Sequence, residues 1–198
     1  MPRLAPLDLN KLTPDQKKAA DAIVAGPRGG LRGPFEPWLR RPELADRAQK
    51  LGEYCRFNSS LPKDLSELAI CLIGRHFKAQ YEFYAHARLA KEAGLAPEVV
   101  EAVRTRQTPP FKREHERIVY DFVTEYLATN RVSAPNYKRA VDALGEPGVV
   151  DLVGVCGYYM LVSMTLNVFE MPLPPGEPEP LASYDPGQDR KRRETVGV

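Results

Sequence analysis

The stretch AQYEFYAHARLA, residues 79–90, sets a glutamate and a histidine four positions apart among aromatic side chains. Four residues make about one helical turn, so Glu82 and His86 share a face. An imidazole exchanges protons near neutral pH, and a carboxylate beside it favours the protonated ring and fixes its tautomer. Glu82 would then orient His86 for proton transfer, with the aromatic neighbours excluding water. The plain alternative is a surface pair worth a few tenths of a kcal/mol. Glu67 and Cys71 are also four apart and share a face. Cys71 reads as a small buried core residue, as do Cys55 and Cys156. His76 fits a core or loop position, and His115, within KREHER, a solvated one.

A second group of candidates lies in GPRGGLRGPFEP, residues 26–37. No strand precedes this loop and no glycine-lysine-hydroxyl triplet follows, so it is not a phosphate cradle. Arg28 or Arg32 could instead clamp a substrate carboxylate, with solvated loop arginines as the alternative. Trp38 and Tyr84 are candidate pocket walls, or ordinary packing.

The elements that must position these residues read as helices. Thr13 caps LTPDQKKAADAIVAG, with Pro14 at the first helical position and Gln16 completing a capping box, and Gly26 ends it. RPELADRAQKLGEYCRF places Leu44, Ala48, Leu51 and Cys55 on one side. SSLPKDLSELAICLIGRHF turns Leu65, Leu68, Ala69 and Leu72 inward. The helix carrying Glu82 and His86 runs to a stop at Gly94, and a proline-started helix follows. REHERIVYDFVTEYLATN is strongly periodic. SAPNYKRAVDALG runs from a Ser133 cap to a stop at Gly145, and a long apolar helix begins near Gly148. No run alternates as a strand would. The expectation is an all-α, single-domain bundle of about eight helices. An N-terminal helix and Gly/Pro-rich loop (1–34) would precede the main domain (35–171), with a Pro-rich arm and disordered basic tail (172–198) after it.

Composition narrows the class. The chain has 198 residues, 43% apolar and 27% charged, ordinary for a globular protein with a core of its own. Its net charge is +2, and the tail segment DRKRRE (189–194) accounts for all of it. A neutral body argues against nucleic acid as a partner. Three widely spaced cysteines without a CxxC fit free thiols in a reducing compartment, and the N-terminus has no apolar signal region, so a cytoplasmic location is expected. Residues 149–169 are long and apolar enough to span a membrane. Asp151, Asn167, Gly154 and Gly157 make a buried central helix the better reading.

With the helices placed, ELAICLIGRHFKAQYEFYAHARLAKEAGLAPEVVEAV resembles the carboxymuconolactone decarboxylase family, which includes the alkyl hydroperoxidase D-like proteins. The resemblance covers roughly residues 40–170. It rests on a glutamate on the preceding helix, ExxxH on the next, and the AGL…E.VEA segment after it. It implies an all-α fold that assembles as a homotrimer or a multiple of one. In the hydroperoxidase branch a CxxC precedes the histidine; here Ala79 and Glu82 occupy those two positions. Glu67 matches the glutamate of that branch's proton relay, and Tyr81 stands where it carries a second histidine. The decarboxylase branch has a glutamate four before the histidine, as Glu82 and His86 do.

The resemblance implies a cofactor-free acid/base enzyme of decarboxylase or lyase type, acting on a small organic acid or lactone. His86, Glu82, Glu67 and Tyr81 would form the catalytic group, with no metal and no organic cofactor. Two other readings stand beside it. One is a hydroperoxide reductase, which would need a thiol from Cys55 or Cys71. The other is a catalytically silent oligomeric binding module.

Overall fold

The computed structural model describes residues 2–182, and among these there are helices and no strand. The tail segment 189–194 lies outside the described residues. Eight α-helices run in the order α1 (Pro14–Ala25), α2 (Phe35–Trp38), α3 (Pro42–Glu53), α4 (Lys63–His76), α5 (Gln80–Glu92), α6 (Pro97–Thr105), α7 (Glu114–Thr129) and α8 (Ala134–Val168). A single π-helical turn, Tyr54–Asn58, follows α3 directly.

Helix α4 is the axis of the bundle. Every side chain from Asp64 to Gly74 is buried, and α5, α7 and α8 pack around it. Such a helix has no solvent face and so carries aliphatic residues on all sides. Asp64, Ser66 and Glu67 near its start are the exceptions; Asp64 is held by Arg113 Nη2 at 2.7 Å, and the same guanidinium also pairs with the buried Glu116. Gly74 lets α5 lie close: a Cβ there would stand 3.4 Å from both Glu82 Cγ and Phe83 N. This approach sets the first turns of α5 against α4.

Local signals acted as their chemistry dictates. Thr13 and Gln16 form the capping box of α1, Gly94 takes φ 98° beyond the end of α5, and Pro97 opens α6. The stop expected at Gly145 is a kink. Gly145 has φ 72° and ψ 163°, Pro147 follows, and two helical halves meet there within α8. The four-residue α2 lies inside what the sequence presents as loop.

Of the four residues expected on the inward side of α3 and the turn after it, Ala48 and Cys55 are buried and the two leucines are not. Leu44 and Leu51 are 46% and 49% exposed, whereas Ala45, Ala48, Gln49 and Gly52 are buried. The cause is close packing. A Cβ on Gly52 would stand 2.2 Å from the Tyr158 hydroxyl and 2.3 Å from Arg28 Nη2. Only the small-residue face of α3 can approach α8 so nearly.

The proline-rich arm, as far as residue 182, lies against its own chain. Gln80 donates to the Leu181 carbonyl and accepts from its N–H, Arg104 donates to the Pro180 carbonyl, and Leu181 is 3% exposed within the core. Helix α8 is long and apolar enough to cross a membrane by length and composition, yet 61% of its most apolar window is buried in the bundle. Its Cys156, like Cys55 and Cys71, is a buried free thiol, as expected of core cysteines.

Candidate active site

Helices α4 and α5 bring Glu67, Glu82 and His86 together, 1%, 3% and 6% exposed. The pair on α5 is therefore not a surface ion pair. Its geometry also reassigns roles. Glu67 Oε2 accepts a hydrogen bond from His86 Nδ1 at 2.6 Å, across the two helices. Glu82 Oε1 lies 3.3 Å from His86 Nε2, but it is not aligned as a hydrogen bond and has no other partner. Glu67, not Glu82, thus fixes the tautomer and the plane of the ring. Sharing a helix face brings Glu82 near Nε2, while Glu67 reaches the other ring nitrogen from the neighbouring helix and makes the aligned bond.

Burial pushes the Glu82 carboxyl up to about 7; the His86 ring opposes the shift and Glu67 adds to it. Arg56 and Arg28 favour the charged form more weakly. A carboxyl poised near neutrality beside an imidazole is a general acid/base pair in chemical terms.

Both residues open onto a cavity of about 390 Å³. Tyr81, Tyr84 and Ala85 of α5 line one side, Tyr158, Tyr159 and Val162 of α8 another, and Arg28, Arg32 and Phe35 of the N-terminal loop region a third. Arg56 of the π turn and Pro174 of the arm complete the wall. Tyr81 packs its ring against Gly33, whose φ of 67° carries the loop past it. Six of the eight residues singled out in the sequence meet here: His86, Glu82, Tyr81, Tyr84, Arg28 and Arg32. Glu67 stands immediately behind, on the far nitrogen of His86. Trp38 does not line the cavity. It is buried, its Nε1 donates to Thr165 Oγ1 at 3.0 Å, and its ring meets Phe35 and Tyr158 edge to face.

The sequence reading missed Arg56, Tyr158 and Tyr159. A ladder of edge-on rings runs from Trp38 to Tyr158, on to Tyr159, and ends at His86, 4.9 Å from the Tyr159 ring. Burial raises the Tyr158 hydroxyl to about 12 and that of Tyr159 well above its ordinary value, so both remain protonated donors. Among the described residues neither hydroxyl has a protein partner, and neither do Arg28 Nε and Nη2 or Arg56 Nε. Buried polar atoms are nearly always paired, so this many unpaired around one cavity mark a place built for a polar ligand or ordered water.

No cysteine lines the cavity. Burial raises all three thiols. Among the described residues no three His, Cys, Asp or Glu side chains are grouped to hold a metal ion.

No protein-family model and no curated protein sequence matches this chain. Among solved structures it is similar to a cysteine-to-alanine variant of the debrominase Bmp8 in complex with 2,3,4-tribromopyrrole. The TM-score is 0.70 at 14% identity, over 91% of this chain and 96% of that one. The apo form of the same debrominase gives 0.67 at 14% identity, over 88% and 92%. The likeness is one of fold: a single all-α domain.

Proposed function

We propose that this chain is a cofactor-independent acid/base enzyme acting on a small organic acid or lactone, of the decarboxylase or lyase type. One observation carries the reading: the buried Glu67–His86–Glu82 group opens onto a cavity several of whose polar atoms have no partner among the described residues.

The residues divide the work. Glu67 holds Nδ1–H, which leaves Nε2 facing Glu82 and the cavity. The Glu82 carboxyl, raised to about 7 by burial and 3.3 Å from Nε2, carries the proton to be transferred. In a decarboxylation the bond from carbon to carboxylate breaks and CO₂ leaves. The electron pair moves into a conjugated carbonyl of the substrate, and the Glu82–His86 pair then protonates the carbon. The Tyr158 and Tyr159 hydroxyls are donors suited to the oxygen on which negative charge develops. Water returns the proton through the cavity mouth.

Thiol-dependent chemistry has less support, since the cavity wall offers no sulfur. The debrominase complex holds a small planar ring, a kind of ligand that an aromatic-walled cavity of this size also suits.

The test is a screen of lactones and unsaturated acids, followed by substrate loss and CO₂ release against pH. Turnover that falls about 10²–10⁴-fold in His86→Ala supports the assignment. Turnover at the wild-type rate, with the same pH profile, refutes it.

A further inference from the structure

The geometry points to Arg28 and Arg56 as a paired guanidinium seat for the carboxylate of a planar, aromatic or unsaturated acid. This deepens the acid/base reading and rests on it for what happens beyond the carboxylate.

The two arginines arrive from separate parts of the chain, one from the Gly/Pro loop and one from the π turn after α3. They meet in one cavity wall. Neither pairs with a carboxylate among the described residues, whereas Arg88 of α5, which with Arg32 also lines the cavity, pairs with Glu92 at 2.8 Å. Arg28 Nε and Nη2 and Arg56 Nε are shut off from solvent and have no acceptor among the described residues. Both side chains are half-buried, but an unpaired guanidinium nitrogen shut off from water is costly, and three of them in one wall suit an anion.

Rings hold both in place. The Arg28 guanidinium carbon lies 5.2 Å from the Phe35 ring centre and 6.0 Å from those of Phe57 and Tyr158; that of Arg56 lies 5.1 Å from Phe57. Stacking on aromatic rings fixes a guanidinium while leaving its N–H edge available, and that edge matches a carboxylate in two parallel hydrogen bonds. Gly52 is part of the seat, because any side chain there would displace Arg28 and Tyr158 together. The ring-lined remainder of the cavity takes the flat body of the acid.

A carboxylate neutralised by two guanidiniums is stabilised in its ionised form, which opposes its departure as neutral CO₂. The seated carboxylate is therefore the handle. The reacting carbon lies farther along the substrate, toward Glu82 and His86.

Calorimetric titration of the full chain with benzoate, with its neutral isostere benzamide and with inorganic phosphate tests this. The expected result is one benzoate per chain, bound at least about tenfold tighter than benzamide, with phosphate a poor competitor. Arg28→Gln and Arg56→Gln should each abolish the preference for benzoate while leaving benzamide affinity unchanged. Arg28→Lys and Arg56→Lys keep the charge and the fold should a glutamine variant not fold, and each should retain only part of the preference. His86→Ala should keep it in full. Equal affinity for benzoate and benzamide would overturn the seat, as would an undiminished preference in both arginine variants. Displacement by phosphate at equal concentration would also do so, and so would loss of the preference in His86→Ala. None of these outcomes touches the acid/base reading, which is decided by turnover alone.

Discussion

At the scale of single residues, the two carboxylates beside His86 carry different tasks, and substitution should separate them. Glu67→Gln can still accept the Nδ1–H bond but no longer offers a charge to a protonated ring, so turnover should fall while the fold persists. Glu82→Gln removes the group that titrates near 7 and should flatten the pH–rate profile there. The same group makes a statement about stability. Its folded value, about 7, exceeds its ordinary 4.5, so the folded state binds the proton more tightly than the unfolded one. Stability is then unaffected by this group below about 4.5, declines as pH rises from there to about 7, and stays reduced above. Glu82→Gln should abolish the decline and, at pH 8, be more stable than the wild type by on the order of 3 kcal/mol. Denaturant melts of both proteins at pH 5 and pH 8 check this. If the two curves keep the same spacing at both pH values, Glu82 is not held as a neutral acid.

At the scale of elements, the π turn is what brings Arg56 to the cavity, and Asp151 of α8 anchors it at both ends. The Asp151 carboxylate accepts from the Tyr54 hydroxyl at 2.7 Å, from the Ser60 N–H at 2.7 Å and from the Ser60 hydroxyl at 2.6 Å. A π turn is a strained insertion that persists only when its surroundings hold it. Asp151→Ala should therefore lower stability by about 1–3 kcal/mol and weaken benzoate more than benzamide. A purely structural loss would weaken both alike, so the ratio measured by calorimetry decides. This dependence also explains what the sequence could not disclose. The capping box at Thr13, the proline start at Pro97 and the one-turn spacing of Glu82 and His86 are local patterns, and they were legible. The place of Arg56 depends on an acid more than ninety positions away. Tyr158 and Tyr159 sit in an apolar run where they read as core. The buried face of α3 is chosen by a glycine that must admit Tyr158 and Arg28, and no hydrophobic periodicity encodes that. Glu67 was placed by resemblance alone, and only the α4–α5 contact reveals it as the ring's anchor.

At the scale of the molecule, the second half of α8 has more to contact than its own bundle. Val150, Val153, Leu161 and Met164 are 70%, 56%, 38% and 64% exposed and recur at helical spacing along one side. No charged residue lies between Asp151 and Glu170. Gly154 and Gly157 fall on the same stretch, and a Cβ at either would meet nothing within 4 Å. Packing within the chain therefore does not require these glycines; a helix brought close from outside would use them. An uncharged stripe of this kind is best covered by the same stripe on another copy, and closed rotational symmetry then limits the assembly to a finite number. We expect a homo-oligomer, a trimer or a multiple of one, with α8 in its contact. The proline arm, bound as far as residue 182 to its own α5 and α6, is not needed for this. Val153→Asp combined with Met164→Asp places charge in the stripe without touching a buried side chain, so it should shift light-scattering mass to that of a single chain while helicity by circular dichroism stays unchanged. A wild-type protein that scatters as a stable monomer at micromolar concentration would rule out the assembly. A double variant that keeps the wild-type mass would move the contact away from α8.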